Sequence, residues 1–463
     1  MAKLNHLMFR EYDIRGRESE EELNVKSISL IAKAYGTFLR KNNITGSVVG
    51  HDNRKTSEDF YQVCLDALRS TGVDAIGLGT CLTPMIYWAP YYFKVEGGLM
   101  VTASHNPAGW NGLKLGMGYS YTLSSAEIQQ VRQFAEAENF TKGAGRFHEE
   151  NIKQAYFSDL LSRAKLHRKI KILLNTANAT SSMFSPELFR QFGCEVIEYN
   201  TKLDPAYPNY VPNPANVAMM EDTGRQVIKH RADVGIGIDA DGDRLGVTDE
   251  QGQTIWPDRW LILLARLTLA RKPGAKIVFD VKVSEALPED ITAHGGVPIM
   301  CPTGYMYVKE KLKSEGGSFG GEQSGHAFFV DEYYGFDDAN FAALKLLEYL
   351  SQQDKPLSQV IAQTPYYVST PAYHAHVSDE GVKYSIVDKL TQEFKTEGYK
   401  VVDINGARVY MKSGWGLVRA SSNLPALVLR FEAKTKEDLT VIENVFRKKL
   451  SKFPAVSPEW ESA

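Results

Sequence analysis

The chain has 463 residues, 43% hydrophobic and 24% charged, the make-up of an ordinary soluble globular protein of two to four domains. A net charge of −3 argues against a general nucleic-acid binder, which needs a positive excess to neutralise phosphates, but leaves room for a local basic pocket. No apolar run approaches the ~20 residues that span a bilayer, and no signal-peptide core follows Met1. The scattered Cys64, Cys81, Cys194 and Cys301 read as reduced, buried thiols, so the expected compartment is the cytoplasm.

The first segment with chemical content is Phe9-Arg10-Glu11-Tyr12-Asp13-Ile14-Arg15-Gly16, in which charges alternate with apolar residues. Alone it reads equally as a solvated edge strand. A β-α-β unit follows, from Ser47-Val48-Val49-Gly50 through a helix over Ser57–Ser70 to an apolar run after Gly72. The strand Gly98–Thr102 then enters Ala103-Ser104-His105-Asn106-Pro107. A serine just past the end of a buried strand lies where α/β sheets bind ligands, and the flanking glycines and Pro107 shape a loop expected to present the hydroxyl outward. A hydrolase nucleophile is the other reading, but the glycines form no nucleophile elbow. On an extended chain His105 points away from Ser104 and makes a poor base.

A second β-α-β unit runs from Ile170–Leu174 through Pro186–Phe192 to the strand after Gly193, and a third from Lys276–Phe279 through Ala286–Ala293 to the strand after Gly295-Gly296. In each unit a glycine ends the helix where a left-handed residue is needed. Between the second and third units, Asp239, Asp241 and Asp243 alternate at the end of the apolar strand Gly235–Ile238. So many carboxylates in so short a loop repel one another without a cation, and hard divalent cations prefer oxygen ligands. Asp239, Asp241, Asp243 and Glu250 also fit the ligand spacing of a calcium EF-hand loop, but Arg244 stands where that loop requires glycine, and the flanks are strands. Three carboxylates leave coordination positions open, which suits Mg²⁺ bound together with a phosphate, and Arg244 can grip that phosphate with its fork. Further on, Gly320-Gly321-Glu322-Gln323-Ser324-Gly325-His326, preceded by Pro302-Thr303-Gly304-Tyr305, brackets a carboxylate, a hydroxyl and an imidazole with glycines. Glu322 and Ser324 can read sugar hydroxyls and His326 can pass protons near neutrality; a structural turn is the plainer reading.

The last hundred residues change character. A helix over Tyr384–Glu397, alternating strands near Val401–Asp403 and Ala407–Tyr410, a strand over Ala426–Phe431 and a helix over Lys436–Leu450 predict an antiparallel α+β module beginning near Pro365 or Pro371. The tail from Pro454 is expected to be loosely ordered. Before the last strand, Arg419-Ala420-Ser421-Ser422-Asn423 can cradle a phosphate or form an ordinary polar turn.

Together and in this order, these segments resemble the α-D-phosphohexomutase family, most nearly its phosphomannomutase/phosphoglucomutase branch, over essentially the whole chain. The resemblance implies three related α/β domains with mixed, largely parallel sheets and a C-terminal α+β domain around a central cleft, at 1–149, 150–251, 252–366 and 367–463. It implies that Ser104 carries a phosphoryl group and, with Asp239, Asp241 and Asp243, holds one Mg²⁺. Arg15, Lys114 and His326 match residues around the reacting hydroxyl. Arg244 and Lys282 match substrate-site cations, Glu322 and Ser324 the sugar readers, and Thr303, Gly304 and Tyr305 the adjoining substrate loop. Arg419, Ser421, Ser422 and Asn423 match the loop for the phosphate that is not transferred, with Tyr12 near it. The implied reaction moves a phosphoryl group between the 1- and 6-positions of mannose or glucose phosphate through a hexose 1,6-bisphosphate, which also serves as activator. The implied partners are small-molecule hexose phosphates, with no nucleic acid and no membrane, and the chain would be a monomer or homodimer. The sequence departs from the family at Glu285, where a basic residue is usual, at Tyr305, where some relatives carry histidine, and in Ser421-Ser422-Asn423-Leu424. These departures bear on sugar choice. The alternatives are a phosphoglucosamine mutase, a metal-dependent phosphatase and a non-enzymatic divalent-metal-binding module.

Overall fold

The computed structural model describes residues 4–119, 121–421 and 424–462; Ser422 and Asn423 of the expected phosphate loop lie outside them. All three β-α-β units form. Gly46–His51 pairs parallel with Asp74–Thr80, Lys171–Asn175 with Glu195–Tyr199, and Lys276–Asp280 with Val297–Cys301. The intervening helices, Ser57–Ser70, Ser185–Gln191 and Ala286–Ala293, each give way to a glycine of positive φ (Gly72 +83°, Gly193 +100°, Gly295 +74°), because an L side chain is strained in that conformation.

The chain divides into two compact units, residues 1–260 with 324–360, and residues 261–323 with 361–463. The first unit holds two sheets. One runs in the order Ile14–Arg17, Trp110–Met117, Gly97–Val101, Gly46–His51, Asp74–Thr80, Phe147–Glu149 and mixes parallel with antiparallel pairs. The other runs Thr254–Ile255, Leu245–Asp249, Val234–Ile238, Lys171–Asn175, Glu195–Tyr199. Its strands Val234–Ile238 and Leu245–Asp249 form an antiparallel hairpin whose tip carries the three aspartates. The central strands are buried on both faces, which explains their continuous apolar runs.

The second unit contains the parallel strands Val297–Cys301, Lys276–Asp280 and Phe319–Gly321, and the antiparallel sheet Lys400–Val402, Ala407–Met411, Gly414–Ala420, Ala426–Ala433, Tyr373–His376. The helices Lys383–Thr396 and Lys436–Leu450 send Ile386, Leu390, Phe394, Ile442 and Phe446 into one core with that sheet. The tail departs from its expectation. Glu461–Ser462 pairs antiparallel with Tyr373 and His374, and the Trp460 ring stacks on Phe431 at 5.7 Å. One aromatic anchor and an open sheet edge give the polar tail somewhere to dock.

Candidate active site

In the first unit the buried strand Gly97–Val101 ends in a tight turn, closed by a hydrogen bond from Asn106 N to Ala103 O. Ser104 sits in it at φ +48°, a strained region for a residue with a side chain. The hydroxyl is not presented outward: Ser104 is 1% exposed, and Oγ lies 3.2 Å from Asp239 Oδ2 and 3.1 Å from His105 Nδ1. His105 therefore turns toward Ser104, contrary to the extended-chain expectation, because the positive φ folds the two side chains to the same side. Burial, with the positive charges of Arg244 and Arg15 near by, holds the imidazole well below its usual pKa and hence neutral.

The aspartate hairpin meets this turn. Asp239 Oδ1 accepts the backbone N–H groups of Gly242, Asp243 and Arg244 at 3.0, 3.0 and 3.1 Å, so it shapes the loop while Oδ2 faces the serine. Gly242, at φ +83°, makes the reversal and packs so tightly on Leu82 that a Cβ would stand 3.0 Å from it. Asp241 Oδ2 accepts from Thr83 Oγ1 at 2.6 Å and from Lys114 Nζ at 2.7 Å, and Lys114 also donates to Asp243 at 2.5 Å. Burial opposes charge at all four groups, and their neighbours decide the outcome. Asp243 and Asp241 add to burial in pushing Asp239 well up; Lys114 pulls Asp241 down; Lys114 and His326 pull Asp243 well down. Burial alone would lower the Lys114 ammonium, but Asp241 and Asp243 hold it well above its ordinary value.

One ligand atom from each of Asp239, Asp241 and Asp243 lies within 4.8 Å of the others. Asp241 Oδ1 is buried and accepts no hydrogen bond, a costly arrangement that a cation relieves. An all-oxygen donor set fits a hard divalent ion. The EF-hand alternative fails on geometry as well as on Arg244: the flanks are strands, and Glu250 faces away to Ser358 N at 3.2 Å.

Arg15, on the edge strand, donates to Asp13 and reaches Asn106 Oδ1 at 2.8 Å and Ala103 O at 3.3 Å, so it holds the serine turn from one side. Tyr12 lies half-buried in the bend before that strand. His326 contacts Asp243 Oδ1 and Arg244 Nε, both at 3.3 Å, through Nε2, and Ser324 Oγ at 3.2 Å through Nδ1. An imidazolium Nε2–H serves Asp243, and a neutral Nε2 serves Arg244, so the ring has a partner in either protonation state.

Sequence reasoning missed Arg54. The residue is 4% exposed, and its guanidinium donates to the carbonyls of Ser104 and Asn106 (both 2.6 Å), Pro107 (2.8 Å) and Trp110 (3.0 Å). Asp52 orients it from Nε at 3.2 Å while accepting from Thr102 Oγ1 at 2.7 Å. The signal was present, since Asp52 and Arg54 follow the carboxyl end of the buried strand Gly46–His51, the same topological position that drew notice to Ser104.

The second unit gathers the other named residues. Asp280 Oδ2 accepts from Thr303 Oγ1 at 2.8 Å and lies 3.8 Å from Lys282 Nζ, while Oδ1 accepts Gln323 N at 2.9 Å. Glu322 Oε1 accepts Gly304 N at 2.7 Å, and Gly304, at φ +133°, starts the helix Tyr305–Glu315 with Tyr305 buried. Lys282 is lowered by burial, opposed by Asp280 and Glu322 and reinforced by Arg419 and Arg430. Arg430 also donates to the Lys282 carbonyl, so these two cations are neighbours. Arg419 is the penultimate residue of the strand Gly414–Ala420, and Ser421 Oγ accepts Leu424 N at 3.2 Å.

Known proteins resemble the chain over nearly its whole length. The phosphoglucomutase/phosphomannomutase α/β/α domains I, II and III match residues 6–142, 151–252 and 256–367, and the C-terminal domain of that family matches 380–449. The phosphomannomutase/phosphoglucomutase of Pseudomonas syringae pv. tomato is 36% identical over 445 residues, covering 96% of this chain and 95% of its own. The phosphoglucomutase of Neisseria gonorrhoeae is 34% identical, covering 96% and 97%. A solved structure of a phosphoglucomutase/phosphomannomutase family protein from Burkholderia thailandensis superposes with a TM-score of 0.92 at 33% identity, over 99% of this chain and all of that one. With four consecutive family domains and full-length relatives above 30% identity, the chain belongs to the phosphoglucomutase/phosphomannomutase family.

Proposed function

We propose that this chain moves a phosphoryl group between the 1- and 6-positions of glucose or mannose phosphate through a phosphorylated Ser104 and a hexose 1,6-bisphosphate. The observation that carries the reading is the contact of Ser104 Oγ with Asp239 at 3.2 Å, inside a buried trio of carboxylates neutralised in part by Lys114. A buried serine set against acids is a poor hydrolase nucleophile but a good seat for a phosphoryl group that exchanges with a bound alcohol, because phosphoryl transfer is governed by positioning and charge neutralisation.

In the first half-reaction the bond from phosphorus to Ser104 Oγ breaks and a new one forms to the sugar hydroxyl, with a net proton passing from that hydroxyl to the serine oxygen. Lys114, held charged by Asp241 and Asp243, and Arg15 lower the proton affinity of the attacking oxygen. His326 suits the proton's removal, since its ring is partnered both with and without the proton. In the second half-reaction the bond from the other phosphorus to its sugar oxygen breaks, that phosphoryl group bonds to Ser104 Oγ, and the released sugar oxygen gains a proton as the serine loses its own. The serine proton then has two acceptors at hand, the neutral His105 imidazole and Asp239. The residues that would hold Mg²⁺ are Asp239, Asp241, Asp243 and the Ser104 oxygen, where the ion would neutralise charge on the phosphoserine side. Arg244 suits a phosphate oxygen near the serine; Lys282, Arg419 and Ser421 suit the phosphate not being transferred; and Thr303, Glu322 and Ser324 suit sugar hydroxyls. The names of the similar proteins favour mannose and glucose over glucosamine. Four buried thiols, Cys64, Cys81, Cys194 and Cys301, suit a reducing compartment such as the cytoplasm.

The test is Ser104→Ala assayed against glucose, mannose and glucosamine 1-phosphates with the matching bisphosphate as activator, alongside intact mass before and after phosphatase treatment. Turnover should fall by at least about a thousandfold, the loss typical of removing a covalent nucleophile, and the ~80 Da phosphate adduct should vanish. Native turnover in the folded variant removes the serine's role, and preference for glucosamine phosphate reassigns the sugar.

A further inference from the structure

The segment Val281–Glu285 follows the strand Lys276–Asp280 and carries Lys282. Its side toward its own domain is held by two ordinary backbone bonds, Val281 N to Cys301 O and Val283 N to Asp280 O, both 3.0 Å. Its other side is held by side chains of the antiparallel sheet in the same unit. Arg408 Nη1 donates to Val281 O at 2.8 Å and to Val283 O at 2.7 Å, and Nη2 donates to Glu285 Oε2 at 2.8 Å. Arg430 donates to the carbonyl between them, Lys282 O. Glu432 Oε1 accepts Glu285 N at 2.9 Å and Trp415 Nε1 at 2.8 Å, and the Arg408 guanidinium lies 3.8 Å above the Trp415 ring.

Three successive carbonyls and one N–H of a five-residue segment are thus bonded by side chains more than a hundred residues away in the sequence. Arg408, Trp415 and Glu432 show no exposure to solvent. Burying a permanent charge is expensive, and here the Glu285 carboxylate, two carbonyls and the Trp415 ring face offset it together. Four backbone bonds and an ion pair grip this segment, although Arg408 Nε is itself buried without a hydrogen-bond partner, and so many bonds restrict the backbone they hold. The gripped backbone carries Lys282, and Trp415 lies on the strand Gly414–Ala420, whose penultimate residue is Arg419. Trp415 and Arg419 are four residues apart, hence on one face of that strand. One cluster therefore grips the backbone that carries Lys282 and rests on Trp415, on the strand that carries Arg419.

We infer that Arg408, seated on Trp415 and backed by Glu432 and Glu285, is a positioning residue that holds Lys282 in register with Arg419 for binding the phosphate of the sugar substrate. The inference rests on the mutase reading, in which those two cations grip the phosphate that is not transferred. Glu285 thereby acquires a role as the clasp's outer end.

The experiment is a double-mutant cycle on the full chain with glucose 1-phosphate and glucose 1,6-bisphosphate, comparing wild type, Arg408→Met, Lys282→Met and the double variant. Arg408→Met should raise KM about tenfold and change kcat less than about threefold, as loss of binding geometry without loss of chemistry does. Loss of the serine-bound phosphoryl group to water, followed by intact mass, should keep its wild-type rate. In the Lys282→Met background the same change should raise KM less than about twofold, since the residue acted upon is gone. Arg408→Lys, which has no second nitrogen to hold Glu285 while the first bonds the carbonyls, should give an intermediate KM. Wild-type KM in folded Arg408→Met, or an equal KM factor in both backgrounds, overturns the clasp. If Arg408→Met does not fold, Glu285→Gln carries the test: KM should rise two- to threefold, roughly the loss of one charge-assisted bond at a half-exposed rim, and an unchanged KM overturns it. The failures are separable, because turnover surviving in Ser104→Ala removes the mutase reading, whereas an additive cycle with an inert Ser104→Ala removes only the clasp.

Discussion

Arg54 illustrates how much a single buried side chain can decide. Four carbonyls of the serine turn, at Ser104, Asn106, Pro107 and Trp110, converge on its guanidinium. Ser104 at φ +48° is strained and persists only if its surroundings over-determine it. Lysine at this position keeps the charge but bonds fewer of those carbonyls. Arg54→Lys should therefore fold and bind substrate with nearly unchanged KM, yet lose about a hundredfold in kcat, the loss expected when a reacting oxygen drifts by about an ångström. A folded Lys variant with kcat within threefold of wild type would mean that the turn holds itself. His105 carries the complementary lesson. Its side chain turns toward Ser104 because of one backbone dihedral, which residue order alone does not disclose.

At the scale of elements, the helix Ala339–Ser351 begins against the aspartate hairpin, with Ala339 N donating to Gly242 O at 3.1 Å. Its N-cap is Asp338, whose Oδ1 accepts Phe341 N at 3.0 Å and whose Oδ2 accepts from Tyr156 at 2.7 Å and Tyr333 at 3.0 Å. Burial pushes this carboxyl up to about 6, although Phe341 N–H and the two tyrosines favour its charge. A folded-state value raised above the unfolded one means that the contribution to stability is fully present below about pH 4 and is lost as pH rises through about 6. The shift corresponds to about 3 kcal/mol as an order of magnitude. Wild type should thus lose stability relative to Asp338→Asn between pH 4.5 and pH 7, measured as the difference in urea midpoints at each pH. A difference that is constant with pH would show that the carboxyl is charged throughout.

For the molecule as a whole, the outcome turns on long-range pairing. The terminal residues close the antiparallel sheet of the second unit: Glu461 and Ser462 pair with Tyr373 and His374, and Trp460 lies between Phe431 and the Arg447 guanidinium, 3.7 Å above its ring. Removing residues 457–463 should destabilise the second unit by about 2–4 kcal/mol, the sum of a lost aromatic anchor and its cation. This would be read as a lower denaturant midpoint for that unit's transition, while the Trp260-containing unit, followed separately, stays put. An unchanged midpoint would restore the loosely ordered tail that its polar sequence suggests.

The amino-acid order alone determined the three β-α-β units, their helix-ending glycines at 72, 193 and 295, the antiparallel last module, and the family through the serine, aspartate and glycine-rich segments. These are local signals: periodicity, a glycine at a left-handed position, carboxylates too dense to go unpaired. Only the tertiary structure decided that His105 faces Ser104, that Arg54 holds the serine turn, that Arg408 grips the Lys282 segment and that the tail is a strand. Each of these depends on a partner distant in sequence or on a single strained dihedral, and the free energy of such contacts exists only once loops have closed and water has been excluded.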